Sequence, residues 1–183
     1  MAMAHDLIIS DETLDGLASN RQYIADIPYT MDIFPDTLSK PNKKGKAKDA
    51  EFEELDLQSH KPYPMVFRIG PNTNRRRMWC WLKAFWVFYK YLKEKKDYDI
   101  IWENKYFTAP PENKLRSIDI IVNHIKVQEY RVCFFVTTGT VHAQGKSLNK
   151  YEEHFPVIKR LFQKMNEDVD ELTNDFENAV VVD

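Results

Sequence analysis

Glu103-Asn104-Lys105 is the triplet in this chain that comes nearest to a catalytic pattern. On a strand, residues two apart share a face, and metal-dependent nucleases use such a carboxylate and lysine to hold Mg²⁺ and orient water. That chemistry also needs an upstream Asp on a neighbouring strand. Asp97 and Asp99 are too close in sequence to supply it, and Asp119 follows rather than precedes the triplet. A polar strand face is the simpler reading, with a small nuclease using Glu103, Lys105 and Asp119 as a second alternative. The histidines His5, His60, His124, His142 and His154 are scattered, without H-x₃-H or C-x₂-C spacing, so no metal centre is expected. Cys80 and Cys133 lie in apolar runs and read as buried thiols of a reducing compartment. Gly145-Lys146 lacks the earlier glycine of a phosphate loop, and no serine sits in a nucleophile elbow. No catalytic residue and no cofactor is assigned.

Charge carries more information. The net charge of −2 conceals an asymmetry: residues 61–165 hold 20 Lys and Arg against nine Asp and Glu. The flanks, 1–60 and 166–183, hold six against 19. A basic segment between acidic ones fits a polyanion ligand, or acidic flanks that fold back on a basic face. Arg75-Arg76-Arg77 stands where a helix should begin, against the preference of the macrodipole for anions there. Lys93, Lys95 and Lys96 close the same helix, where the dipole alone accounts for them. Lys43-Lys44-Gly45-Lys46-Ala47-Lys48 reads as a phosphate-contacting or nuclear-import stretch within a linker.

The elements that must position these groups follow from periodicity. Residues 1–35 form a sparse, weakly ordered N-terminal arm, with a short helix expected after a capping Asp11. Residues 36–60 are a charged linker, 61–165 a basic α+β domain, and 166–183 an acidic C-terminal extension. Met65–Ile69 is a short strand ended by Gly70-Pro71-Asn72. Met78–Lys96 carries apolar residues around most of a helical wheel, so this helix is buried on most sides. Ile100, Trp102 and Tyr106 alternate with Glu103 and Lys105, Ile118, Ile120 and Val122 with Asp119 and Asn123, and Tyr130, Val132, Phe134 and Val136 with Arg131, Cys133 and Thr137; Pro110-Pro111 ends the first of these strands. Thr138-Gly139 turns into a further strand carrying Val141 and Ala143. A last helix, capped by Asn149, has Phe155, Ile158, Leu161, Phe162 and Met165 as its stripe, with Pro156 in its first turns. The expected fold is therefore α+β, an antiparallel sheet of about four strands with one face covered by two helices and acidic flanks.

The order strand, Thr-Gly turn, strand ending in Gln144-Gly145-Lys146, then helix, over residues 130–162, resembles half of a TATA-binding-protein fold. Single copies of similar form occur at the N-terminus of some ribonucleases H. The resemblance implies that the open sheet face meets nucleic acid, and that face would show Arg131, Phe135, Thr137, Thr140, His142 and Gln144. The paired inserted phenylalanines of that family are not evident. With Arg75, Arg76, Arg77 and Lys146, these residues form the expected site of a non-enzymatic DNA- or RNA-binding module, nuclear or cytoplasmic. The alternative is a protein-interaction module docking through its aromatic helix or acidic tails. The opening Met1–Ile9 has no secretory pattern and Met78–Leu92 is broken by Lys83 and Lys90, so an intracellular protein without a membrane span is expected.

Overall fold

The computed structural model describes residues 9–36, 66–68, 75–108 and 114–181, with side chains from 9–36, 75–108 and 114–166. The Lys43–Lys48 cluster, the linker before residue 66, Gly70-Pro71-Asn72 and Pro110-Pro111 lie outside the described residues. So do the side chains of the acidic extension beyond Asn166.

Among the described residues five strands make one antiparallel sheet: β1 (Val66–Arg68), β2 (Tyr98–Tyr106), β3 (Leu115–His124), β4 (Val127–Phe135) and β5 (Thr140–Gln144). Their spatial order is β1-β5-β4-β3-β2. The sheet thus has four long or medium strands plus the three-residue β1. Alternation settles which side faces inward. Ile118, Ile120 and Val122 of β3, Tyr130, Val132 and Phe134 of β4, and Val141 and Ala143 of β5 are buried together in one core.

Two long helices cover that face. Helix α3 (Arg75–Lys95) buries eleven residues spread around its circumference, because it is enclosed by the sheet, the last helix and the N-terminal arm. Its Trp81 ring stacks on Phe162 at 4.1 Å between centroids and 7° between planes. Asp97, at φ 59°, then reverses the chain into β2, a backbone setting that Asp tolerates better than most residues. Helix α4 (Leu148–Val181) packs on α3, β4 and β5. It begins one residue before Asn149, so that residue lies in its first turn. Pro156 is the ninth residue of the helix, in its third turn rather than its first, and it is exposed.

The N-terminal arm is part of this core. Helix α1 (Asp11–Ala18) is capped by Ser10, whose hydroxyl accepts from the Thr13 N–H at 3.1 Å; Asp11 is its first helical residue. Helix α2 (Arg21–Ala25) follows, capped by Asn20. Leu14, Leu17, Tyr23 and Phe34 are buried, Phe34 against Phe134. The Trp86 indole donates to the Tyr23 carbonyl at 2.8 Å. The arm's acids meet the domain's bases: Asp11 pairs with Arg160, Asp15 with Lys164, Asp26 with Lys90, and Asp36 with Arg75. No helix among the described residues is long and apolar enough to cross a membrane.

One contact fixes where α4 departs from the sheet. The register of β3 on β4 shifts between Val122 and Asn123, which leaves Glu129 as the extra residue of a bulge. Gly145, at φ 146°, lies directly over it: a Cβ there would meet Tyr130 Cα at 2.7 Å and the Glu129 carbonyl oxygen at 2.8 Å. The Ser147 N–H donates to that same carbonyl at 3.0 Å. Gly145→Ala is expected to destabilise the protein by roughly 2–4 kcal/mol in a urea titration, since backbone strain and a backbone clash coincide. A change below about 0.5 kcal/mol would mean that the approach is not tight.

Candidate functional site

At the end of the sheet where β3 turns into β4 and β5 leads into α4, cations gather. Lys126, Val127, Gln128, Arg131, Gln144, Gly145 and Lys146 line an open groove of about 800 Å³. Among the described residues, no carboxylate lines it. The register explains the grouping: Arg131 lies opposite Gln144 on the sheet face away from the long helices, while the hairpin and the Gly145 pinch bring up Lys126 and Lys146. Arg131 Nη1 is 3.8 Å from Asp119, and its buried Nε donates to no acceptor, so most of this guanidinium's donors remain unspent. On the other side of the hairpin is a second recess of about 330 Å³, lined by Leu92, Lys95, Lys96, Asp97, Tyr98, His124 and Lys150. Lys150 pairs with Glu153 at 3.6 Å.

Between the two recesses lies a polar network. Tyr98 donates to Glu129 Oε1 at 3.1 Å, and His124 Nδ1 is 3.2 Å from the same oxygen. The Tyr98 and His124 rings stack at 4.2 Å. The bulge is what brings the Glu129 carboxylate to them: both partners meet Oε1, while the buried Oε2 has none. Deeper, Tyr89, Tyr130 and His154 form a chain, with 3.0 Å between the hydroxyls and 2.6 Å from Tyr130 Oη to His154 Nδ1. His154 Nε2 is buried without a partner, so an imidazolium would strand an N–H in the apolar interior. Burial first, then the charges of Lys150 and His124, push the His154 pKa down to about 3.

The expected site residues divide into three places. Arg131, Gln144 and Lys146 come together in the groove. Further along the same sheet face His142 lies opposite Cys133, and Phe135, beneath the Arg116 guanidinium at 5.9 Å, and Thr140 are half-buried near its far end. Thr137 lies in the β4–β5 turn, away from the groove. Arg75, Arg76 and Arg77 belong to the helical layer: Arg75 pairs with Asp36 at 2.8 Å, and Arg77 lies over the Phe162 ring at 5.0 Å. The tryptophans of α3 are turned to packing, with Trp81 and Trp86 buried and Trp79 half-buried.

Lys126, Gln128 and Lys150 were not among the expected site residues. Lys126 and Gln128 lie where one alternating run gives way to the next, which is how any hairpin looks, and Lys150 lies in the first turn of the last helix. The nuclease triplet has an arrangement that chain order alone does not show, because Glu103 lies directly opposite Asp119. Yet Lys105 pairs with Glu103 at 3.3 Å, and Asp119 is buried beside Arg131 with the Ser117 hydroxyl donating to it at 3.3 Å. Among the described residues there is no group of three or more side chains that would hold a metal ion. The Cys133 thiol beside Asp119 is pushed up to about 11, first by burial and then by that carboxylate.

No known protein family, curated protein or solved structure matches this chain.

The depressed His154 gives a signed pH dependence. Unfolded, the imidazole takes up a proton near pH 6.5, whereas folded it refuses one until about pH 3. Its neutral burial therefore favours the fold fully above about pH 6.5, and that contribution is lost as pH falls toward 3. Denaturant titrations across this window should show stability declining with acid, and His154→Gln should flatten the decline. An equal slope in both proteins would contradict the assignment.

Proposed function

We propose that this protein is a non-enzymatic nucleic-acid-binding module whose contact surface is the basic groove at the β3–β4 end of the sheet. The observation that carries the reading is the lining itself: Lys126, Arg131 and Lys146, with the amides of Gln128 and Gln144 and no carboxylate among the described lining residues. Cations placed together displace condensed counterions from a phosphate backbone and supply affinity. Amides donate and accept, as contacts to sugars and base edges require. A concave site open along its length suits a polymer that runs through it.

The resemblance of residues 130–162 to half of a TATA-binding-protein fold is a further reason for placing the nucleic acid on the face opposite the helices. The contact proposed here is confined to one end of that face. Arg75–Arg77 are left out of it, since they sit in the helical layer and not at this end of the sheet. Docking of a protein through the aromatic helix is disfavoured because Trp81 and Trp86 are spent in the core. A ligand of this kind places the protein in the nucleus or the cytoplasm.

Fluorescence anisotropy on a labelled 20-base-pair duplex and on the matching single strand tests the reading. Binding should weaken steeply with salt, each phosphate contact contributing about 0.9 to the log–log slope. Lys126→Ala, Arg131→Ala and Lys146→Ala together should lower that slope by about 2–3, whereas Arg75→Ala should leave it unchanged. Absence of a complex at low salt, or equal slopes for the triple variant and the natural protein, would overturn the proposal.

A further inference from the structure

The β3–β4 hairpin turns through Ile125 and Lys126 alone, and both have positive φ, 51° and 62°. That is the backbone of a two-residue type I′ turn, which Asn-Gly makes without strain. A β-branched residue there is a steric outlier, because its Cβ crowds the backbone on that side of φ. The turn gains nothing from burial in return: Ile125 is 74% exposed and Val127 62% exposed, the two most exposed large hydrophobic residues among those described. Local stability would favour another residue in place of Ile125, so its role must be sought in what the tip meets.

The tip stands between two cationic recesses. Lys126 and Val127 line the groove with Arg131 and Lys146, and His124, at the other foot of the turn, lines the recess with Lys95, Lys96 and Lys150, where Asp97 is the one carboxylate among the described lining residues and Lys150 also meets Glu153. An apolar point flanked on both sides by cations complements a ligand with charge outside and apolar surface within. A nucleic-acid duplex has that layout, with two phosphate backbones flanking a stack of bases. Aliphatic side chains lack the π-face that holds splayed single-stranded bases, but they do serve as wedges between stacked pairs.

We infer that the hairpin tip is a wedge: Ile125, backed by Val127, enters between two base pairs of a duplex whose phosphates are held by the cations on either side. This rests on the nucleic-acid reading above and specifies its ligand as double-stranded. Insertion opens a base step, and pyrimidine–purine steps such as TA open most readily.

The test uses the full chain and a set of 20-base-pair DNA duplexes with 2-aminopurine at successive central positions, including a TA step. The fluorescence of this base rises when it is unstacked. The natural protein should raise it severalfold at the TA step. Ile125→Asn should abolish the rise and weaken duplex binding about tenfold while raising the melting temperature, because Asn accepts the left-handed backbone. Ile125→Leu, apolar but not β-branched, should preserve the rise. A duplex complex without any rise, or a rise kept by Ile125→Asn, overturns the wedge and leaves the cationic groove standing. No complex with any duplex or single strand overturns both. Binding of the tip to phosphatidylserine-containing vesicles, lost in Ile125→Asn, with no duplex binding, assigns it to a lipid surface and overturns the wedge as well.

Discussion

The approach of Gly145 to the Glu129 bulge governs the arrangement of this sheet end. Without a side chain at Gly145, the β5 exit lies against the β4 backbone, and the Ser147 N–H takes the Glu129 carbonyl. The same bulge turns Glu129 toward Tyr98 and His124, which both meet its Oε1. Lys146 and Lys150 follow Gly145 within five residues and are delivered to either side of the hairpin. A larger residue at this position would separate α4 from the sheet and scatter the cations with it.

Charge neutralisation is equally structural. The basic excess of the central segment does not spread evenly over the surface, because the N-terminal arm pairs with part of it. Asp11, Asp15, Asp26 and Asp36 meet Arg160, Lys164, Lys90 and Arg75, all on the helical side of the molecule. These pairs are exposed enough that each contributes little to stability. Their larger effect is on where a polyanion can gain energy. Cations already facing carboxylates release fewer counterions, which is why the proposed polyanion contact is the groove of Lys126 and Lys146, whose described lining holds no carboxylate.

The parts of this fold that the sequence made legible were those set by periodicity. Helix α3 was readable because its apolar residues ring the wheel, and β3, β4 and β5 because their faces alternate. The stripe from Phe155 to Met165 located α4. What stayed hidden depends on contacts between distant residues or on local rules being broken. Asp11 and Arg160 are 149 residues apart, and nothing in either neighbourhood announces the pair. Leu14, Leu17, Tyr23 and Phe34 are too sparse for a strong period, although tertiary contact buries all four. The bulge at Glu129 interrupts alternation where the strand begins. The Ile125-Lys126 turn contradicts the usual turn chemistry, so the hairpin that carries half of the candidate site had no recognisable signal. Of the expected site, Arg131, Gln144 and Lys146 are together because strand register and a glycine place them. Arg75–Arg77 look equally basic in sequence but lie in the other layer.

The most direct measurement of the central claim is a residue-resolved map of the contact surface. Backbone amide resonances of the ¹⁵N-labelled protein would be followed by NMR as a short DNA duplex is added at low salt. The account predicts that the largest shifts fall at Ile125–Gln128, Arg131 and Gln144–Lys146, with Arg75–Arg77 and Arg160 unmoved. Shifts concentrated on the helical layer, or none anywhere at saturating duplex, would contradict it.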